Sequence, residues 1–165
     1  MTDLPTVLHD YHAAVDAFLA TAAALPAERW SQPRAPGKWS PGQVTEHVTL
    51  AYEVNRGVLH GTAPGGAAPR LLRPLFRKLL LAPVLRRRRF FPGSKSPRIF
   101  RPGPVAAPPD AALGRLRTAA DAFERDVAGL GMDTVDHPFF GRLPIVDLVR
   151  LQEIHTHHHR GQLSP

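Results

Sequence analysis

Apolar residues recur along this chain at alternating steps of three and four, in four separate stretches. Leu4, Leu8, Tyr11, Val15, Phe18, Ala22 and Leu25 form the first stripe, and Val44, His47, Ala51, Val54 and Val58 the second. Leu113, Leu116, Ala120, Phe123, Val127 and Leu130 form the third, and Ile145, Leu148, Gln152, His155, His159 and Gln162 the fourth. Each stripe covers one face of a helix and must bury against a neighbour. The ends are marked too. Pro5 suits a first turn and Pro26 lies beyond a last one; Ser40, Pro41 and Gln43 read as a capping box; Gly61, Gly129 and Gly131 stop helices; Pro144 precedes one. No strand pattern of comparable length competes. The expectation is an all-α four-helix bundle forming a single domain over residues 1–165.

The second and third stripes are separated by a connection over residues 61–109, far longer than compact domains usually carry. A short loop forces consecutive helices antiparallel; a long one lets them run parallel. Within it, Leu71, Leu72, Leu75, Phe76, Leu79, Leu80, Val84 and Leu85 suggest one or two short helices broken at Pro74 and Pro83. From Pro92 to Pro109 the proline and glycine density predicts an extended strap.

The formal charge of +7 belongs to this connection and not to the chain as a whole. Residues 70–101 hold 11 of the 21 lysines and arginines and none of the 14 acids, so the remainder is net acidic. Arg86 to Arg89 beside the apolar run 79–85 could touch nucleic acid or an anionic membrane. The favoured expectation is a solvated arginine run on a helix that packs against the bundle or a dimer partner. There is no cysteine, which excludes disulfides, thiolate ligands and a cysteine nucleophile. No leader-like segment and no apolar run near 18 residues is seen, so the expected location is the cytoplasm.

The fourth stripe turns from apolar to polar partway along. Taking His155 as origin on a helical wheel, His159 falls at about +40°, His158 at about −60° and His157 at about 200°. His155 can therefore share an ion with His158 or with His159, and continuity of the stripe favours His159. Two imidazoles one turn apart can meet one metal ion, while burying them unpaired costs several kcal/mol. The alternative is a frayed, exposed last turn. A third candidate, His47, lies ~10 Å from the start of the second helix, and the pair roughly 16–22 Å from the start of the fourth. The three are level only if these helices are antiparallel, which an up-down-down-up order provides and the long connection permits. His9, His12, His60 and His137 lie off the stripes and are expected on the surface or in loops. Asp147 and Glu153 read as solvated helix charges, and Glu46 as facing solvent or a neighbouring helix.

The stretches "GKWSPGQVTEHV" (37–48), "PRIFRPGP" (97–104) and "HPFFGRLPIVDLVRLQEIHTHHHRGQL" (137–163) resemble the DinB/YfiT-like superfamily of metal-dependent proteins. The family's Trp-Ser/Thr entry maps to Trp39-Ser40, its lone histidine to His47, and its H-x-x-x-H-x-x-Q ending to His155, His159 and Gln162. The resemblance implies an up-down-down-up bundle, frequently dimeric, with a three-histidine site for a divalent metal, usually nickel or zinc. It also implies a small-molecule substrate and chemistry like that of thiol S-transferases using a low-molecular-weight thiol, or of hydrolases. Many members have no known activity, so a non-catalytic, metal-stabilised stress or binding protein is the alternative. Gln162 would orient a ligand or substrate beside the metal. No HExxH glutamate is present, and the catalytic residues are not identified by the sequence.

Overall fold

The computed structural model describes residues 3–63, 68–91, 96–131 and 133–163. These are mostly helical, with one small sheet. The four stripes become α1 (Leu4–Ala23), α2 (Pro41–Leu59), a third long helix over Pro109–Leu130 and a fourth over Ile145–Arg160. The local reasons are those of the sequence. The Ser40 hydroxyl accepts from the Gln43 amide (3.3 Å) while the Gln43 side chain accepts from the Ser40 amide (3.0 Å), with Pro41 in the first turn. Gly131 follows the third long helix at φ 56°, a left-handed stop that glycine adopts without strain. One cap was not foreseen: the Asp3 carboxylate accepts from the Thr6 amide (3.0 Å) and opens α1.

The connection is more ordered than expected. A short turn at Arg70–Leu72 leads into α3 (Arg73–Phe76), a π-helical stretch (Arg77–Leu81) and α4 (Ala82–Arg87) without interruption. Pro74 and Pro83 therefore do not break the chain. Each sits in the first turn of its segment, where its missing N–H is least costly, and the wide π turn precedes Pro83. Pro92 to Lys95, the start of the expected strap, lie outside the described residues. From Ser96 onward the strap is extended apart from one turn at Arg98–Phe100, and it leads into α5 (Pro109–Leu130).

The purely helical expectation needs one correction. Before α6 (Ile145–Arg160) the chain makes an antiparallel hairpin of β1 (Thr134–His137) and β2 (Gly141–Pro144), pairing Val135 with Leu143. Only four residues per strand alternate, with Val135, His137 and Leu143 inward and Asp136 and Arg142 outward, too few to register against the helical stripes. His137 is thus buried, not a surface residue; it stacks on Phe140 with ring centroids 4.7 Å apart. Burial lowers its pKa to about 4, against the opposing pull of Asp136.

The core gathers Tyr11, Phe18, Tyr52, Leu116, Phe123 and Leu148, each essentially without solvent contact. Such side chains contribute about 1.5–3 kcal/mol apiece by burial. Polar tips inside it are satisfied. The Tyr11 hydroxyl donates to the Ala120 carbonyl (2.9 Å), Tyr52 bonds Thr156 (2.6 Å), and the Gln152 amide donates to the Ala51 carbonyl (3.0 Å). Ion pairs join Asp16 to Arg117 (2.6 Å), Glu53 to Arg115 (2.8 Å) and Arg56 to Asp126 (2.7 Å). Glu153 is also buried, contrary to the solvated charge expected. Arg88, in a left-handed conformation after α4 (φ 50°), turns back to meet it at 2.9 Å and so is not free.

Candidate metal centre

His47 lies in the second turn of α2, and His155 and His159 lie in the last two turns of α6. The fold brings the three together. The His47 Nε2 is 3.0 Å from the Nε2 of His155 and 3.0 Å from the Nε2 of His159. Ring centroids are 4.9, 4.5 and 4.5 Å apart for the pairs 47–155, 47–159 and 155–159. His47 and His159 are buried and His155 half-buried. His157 is exposed, as its place on the wheel requires, and His158 falls beside the cluster.

Two neighbours fix the protonation of the rings. The His47 Nδ1 is 2.6 Å from the Phe100 carbonyl oxygen, which can only accept, so the proton sits on Nδ1. The His159 Nδ1 likewise donates to the Gln162 Oε1 (2.9 Å), while the other end of that amide donates to the His158 Nε2 (3.1 Å). In the neutral rings both inward Nε2 atoms are then bare lone pairs, 3.0 Å apart. Nothing between them is a donor, so they repel unless a cation lies between them. The His155 Nδ1 is buried with no hydrogen-bond partner among the described residues.

The rings are also held neutral. Burial pushes the pKa of His47 down against the Phe100 hydrogen bond, that of His155 well down, and that of His159 to about 3. Neutral imidazole is the ligand form. A 3.0 Å separation is what two nitrogens ~2.1 Å from one ion have at an angle of about 90°. The residues present therefore fit a divalent cation: two buried histidines and a half-buried one that could hold a metal ion. No Asp or Glu belongs to the cluster among the described residues.

The surroundings were only partly legible. Trp39 packs on His47 (4.8 Å between centroids), and Phe90 touches both His155 (5.6 Å) and His158 (5.5 Å). Sequence reasoning singled out Trp39 but not the role of Phe90. Nor did it find the Phe100 carbonyl, since a backbone acceptor leaves no mark in residue type. The strap that carries it is pinned to α2 at several points. The Gln43 amide donates to the Gly103 carbonyl (3.0 Å), the Gly103 amide to Glu46 (3.2 Å), and the Trp30 indole to the Ala107 carbonyl (2.8 Å). Glu46 thus faces the strap, the element of the fold covering that side of α2.

Comparison with curated proteins and with solved structures gives no match. Among protein families, the model of the DinB superfamily matches residues 10–163, a span that includes all three histidines, Gln162, the crossover and the strap. With nearly the whole chain covered, the protein belongs to the DinB superfamily.

Proposed function

We propose that the protein is a divalent-metal-dependent enzyme acting on a small molecule, with His47, His155 and His159 as the metal ligands. The observation that carries this reading is the convergence of three Nε2 atoms, with those of His155 and His159 each 3.0 Å from that of His47 and the protons of His47 and His159 held on Nδ1. An ion held there by three neutral imidazoles would supply Lewis acidity toward an oxygen or thiol on its open side. The chain's own residues do the positioning. The Phe100 carbonyl and the Gln162 amide lock two rings in the ligand tautomer, as partners of metal-bound histidines commonly do. Trp39 packs on the ring of His47 and Phe90 on that of His155. Because no carboxylate joins the cluster, this reading assigns no protein base. It favours transfer of a low-molecular-weight thiol to an electrophile, or hydrolysis, with nickel or zinc as the metal and a homodimer as the assembly.

The helix order that fits is up-down-down-up. Tyr11 with Ala120 and Asp16 with Arg117 run in opposite senses along α1 and α5. Glu53 with Arg115 and Arg56 with Asp126 run in the same sense along α2 and α5. His47 with His159 and Ala51 with Gln152 run in opposite senses along α2 and α6. A second reading is a metal that only clamps the bundle: two clefts among the described residues, of about 370 and 470 Å³, lie away from the three histidines.

Elemental analysis of protein purified without a metal-affinity step should find about one nickel or zinc per chain. A panel of thiols and electrophiles should then show turnover that His155→Ala abolishes. Stoichiometric metal with no turnover would leave the clamp; full activity in metal-free protein would end the metal-dependent reading.

A further inference from the structure

The helical crossover presents an apolar face that the rest of the fold leaves open. Leu81 and Val84 point inward and are buried, whereas Leu71, Leu72, Leu75, Leu79 and Leu80 are 93, 41, 47, 56 and 49 % exposed. Leu71, Leu75 and Leu79 follow one another at steps of four, so they line one side of the helical run. Lys78, Arg86, Arg87 and Arg89 are exposed on the same segment. Of its neighbours, Arg73 is taken by Asp136 (3.3 Å) and Arg88 by Glu153 (2.9 Å). No acid occurs anywhere between residues 70 and 101.

We propose that this crossover is a docking surface for an anionic lipid bilayer. A helix combining leucines on one face with flanking cationic side chains lies in the plane of such an interface, its apolar face among the acyl chains and its charges at the headgroups. The helical run from Arg73 to Arg87 would lie flat in that interface. No helix among the described residues is long and apolar enough to cross a membrane. Charge decides against a second copy of the chain on the same face, because pairing would set two acid-free basic segments against each other. A nucleic acid would satisfy the arginines and leave the leucines in water. A bilayer satisfies both, and nothing is needed from the metal centre.

The test is flotation of the full-length protein with phosphatidylcholine vesicles, with and without phosphatidylglycerol. Binding is expected only with phosphatidylglycerol, and it should fall when salt is raised from ~0.1 to ~0.5 M, as screening of surface charge requires. Leu71→Ser, Leu75→Ser and Leu79→Ser together should weaken partitioning by at least about a hundredfold. Arg86→Glu with Arg87→Glu should weaken it by at least about tenfold. These side chains are exposed, so helical circular dichroism should be unchanged. As a second readout, the emission of Leu75→Trp should shift to the blue on vesicles beyond any change in the native tryptophans. Three results overturn the proposal. One is the absence of binding at low salt. Another is binding indifferent to the leucine changes, which is adsorption by charge alone and is expected equally for duplex DNA. The third is a dimer in solution that the leucine changes dissociate.

Discussion

Removing one imidazole from the cluster should have opposite consequences with and without metal. In the metal-free protein the Nε2 lone pairs of His47 and His159 face each other at 3.0 Å, and the His155 Nε2 is as close to that of His47. Shortening His159 to Gln relieves that repulsion while keeping an amide near Gln162. The loss should then be well below the 2–5 kcal/mol, roughly, of an ordinary large-to-small core change, or the variant should gain stability. In metal-loaded protein the sign reverses. With free metal at 100 times its dissociation constant, linkage adds about 2.7 kcal/mol. In a chain of this length that is a rise in Tm of about 5–11 °C. His47→Gln, His155→Gln and His159→Gln should each lose most of that rise, and His157→Gln, exposed and facing away, should keep it. Thermal melts of each variant, with chelator and with added zinc or nickel, provide all the needed comparisons. A full metal-induced rise in His159→Gln, or its loss in His157→Gln, would falsify the reasoning, because the ion would then be held by the surface histidines.

Gln162→Ala should leave the fold intact and weaken metal affinity by about 10–100-fold, since it frees the His159 ring to turn or change tautomer; competition with a coloured chelator measures it. Gly42→Ala should cost roughly 1–3 kcal/mol in a denaturant melt. An added Cβ would meet the Ala106 Cβ at 2.5 Å and the Trp30 Nε1 at 2.7 Å, prising the strap from α2; unchanged stability would mean the strap is not held as described. His137 sets a pH dependence. Its folded pKa, about 4, lies below the unfolded 6.5, so the unfolded chain binds the extra proton between them. Stability should be fully present above about pH 6.5 and fall by about 3 kcal/mol as pH drops toward 4. His137→Gln should make the profile of metal-free protein shallower, leaving the share set by the buried rings of His47, His155 and His159, and a profile as steep as wild type would place the loss elsewhere.

The helices were readable because each is long enough for its stripe to repeat and carries capping residues of recognisable type, as Ser40, Gln43 and Gly131 do. The histidine cluster was readable for a related reason. His155 and His159 continue an apolar stripe, and a stripe that turns polar while staying inward needs a partner. What could not be read depends on contacts between distant residues. The β1–β2 hairpin rests on two four-residue strands, and His137 looked like a loop residue because its burial comes from Phe140. Glu153 looked solvated because its partner, Arg88, is presented by a left-handed residue 65 positions away in the chain. Pro74 and Pro83 were read as breaks because a proline's tolerance depends on its turn within a helix, and the π stretch before Pro83 has no simple pattern.

The crossover therefore has more than a topological role. Its length is compatible with the proposed helix order, in which α2 and α5 run side by side in the same sense, as a short loop would forbid. Its second half then returns across the start of α2, where Gln43 and Glu46 hold Gly103 and leave the Phe100 carbonyl 2.6 Å from His47. The segment that would allow the proposed helix order thus also sets the tautomer of His47, and without it His47 would be free to present a proton to the other two rings. The basic first half is held to the bundle by Arg73, Arg77 and Arg88, through Asp136, the Arg142 carbonyl and Glu153. The exposed leucines are not part of the histidine cluster, whereas Phe90 touches His155. Loss of lipid binding by the leucine variants should accordingly leave the metal-induced rise in Tm unchanged, whereas Phe90→Ala should reduce it.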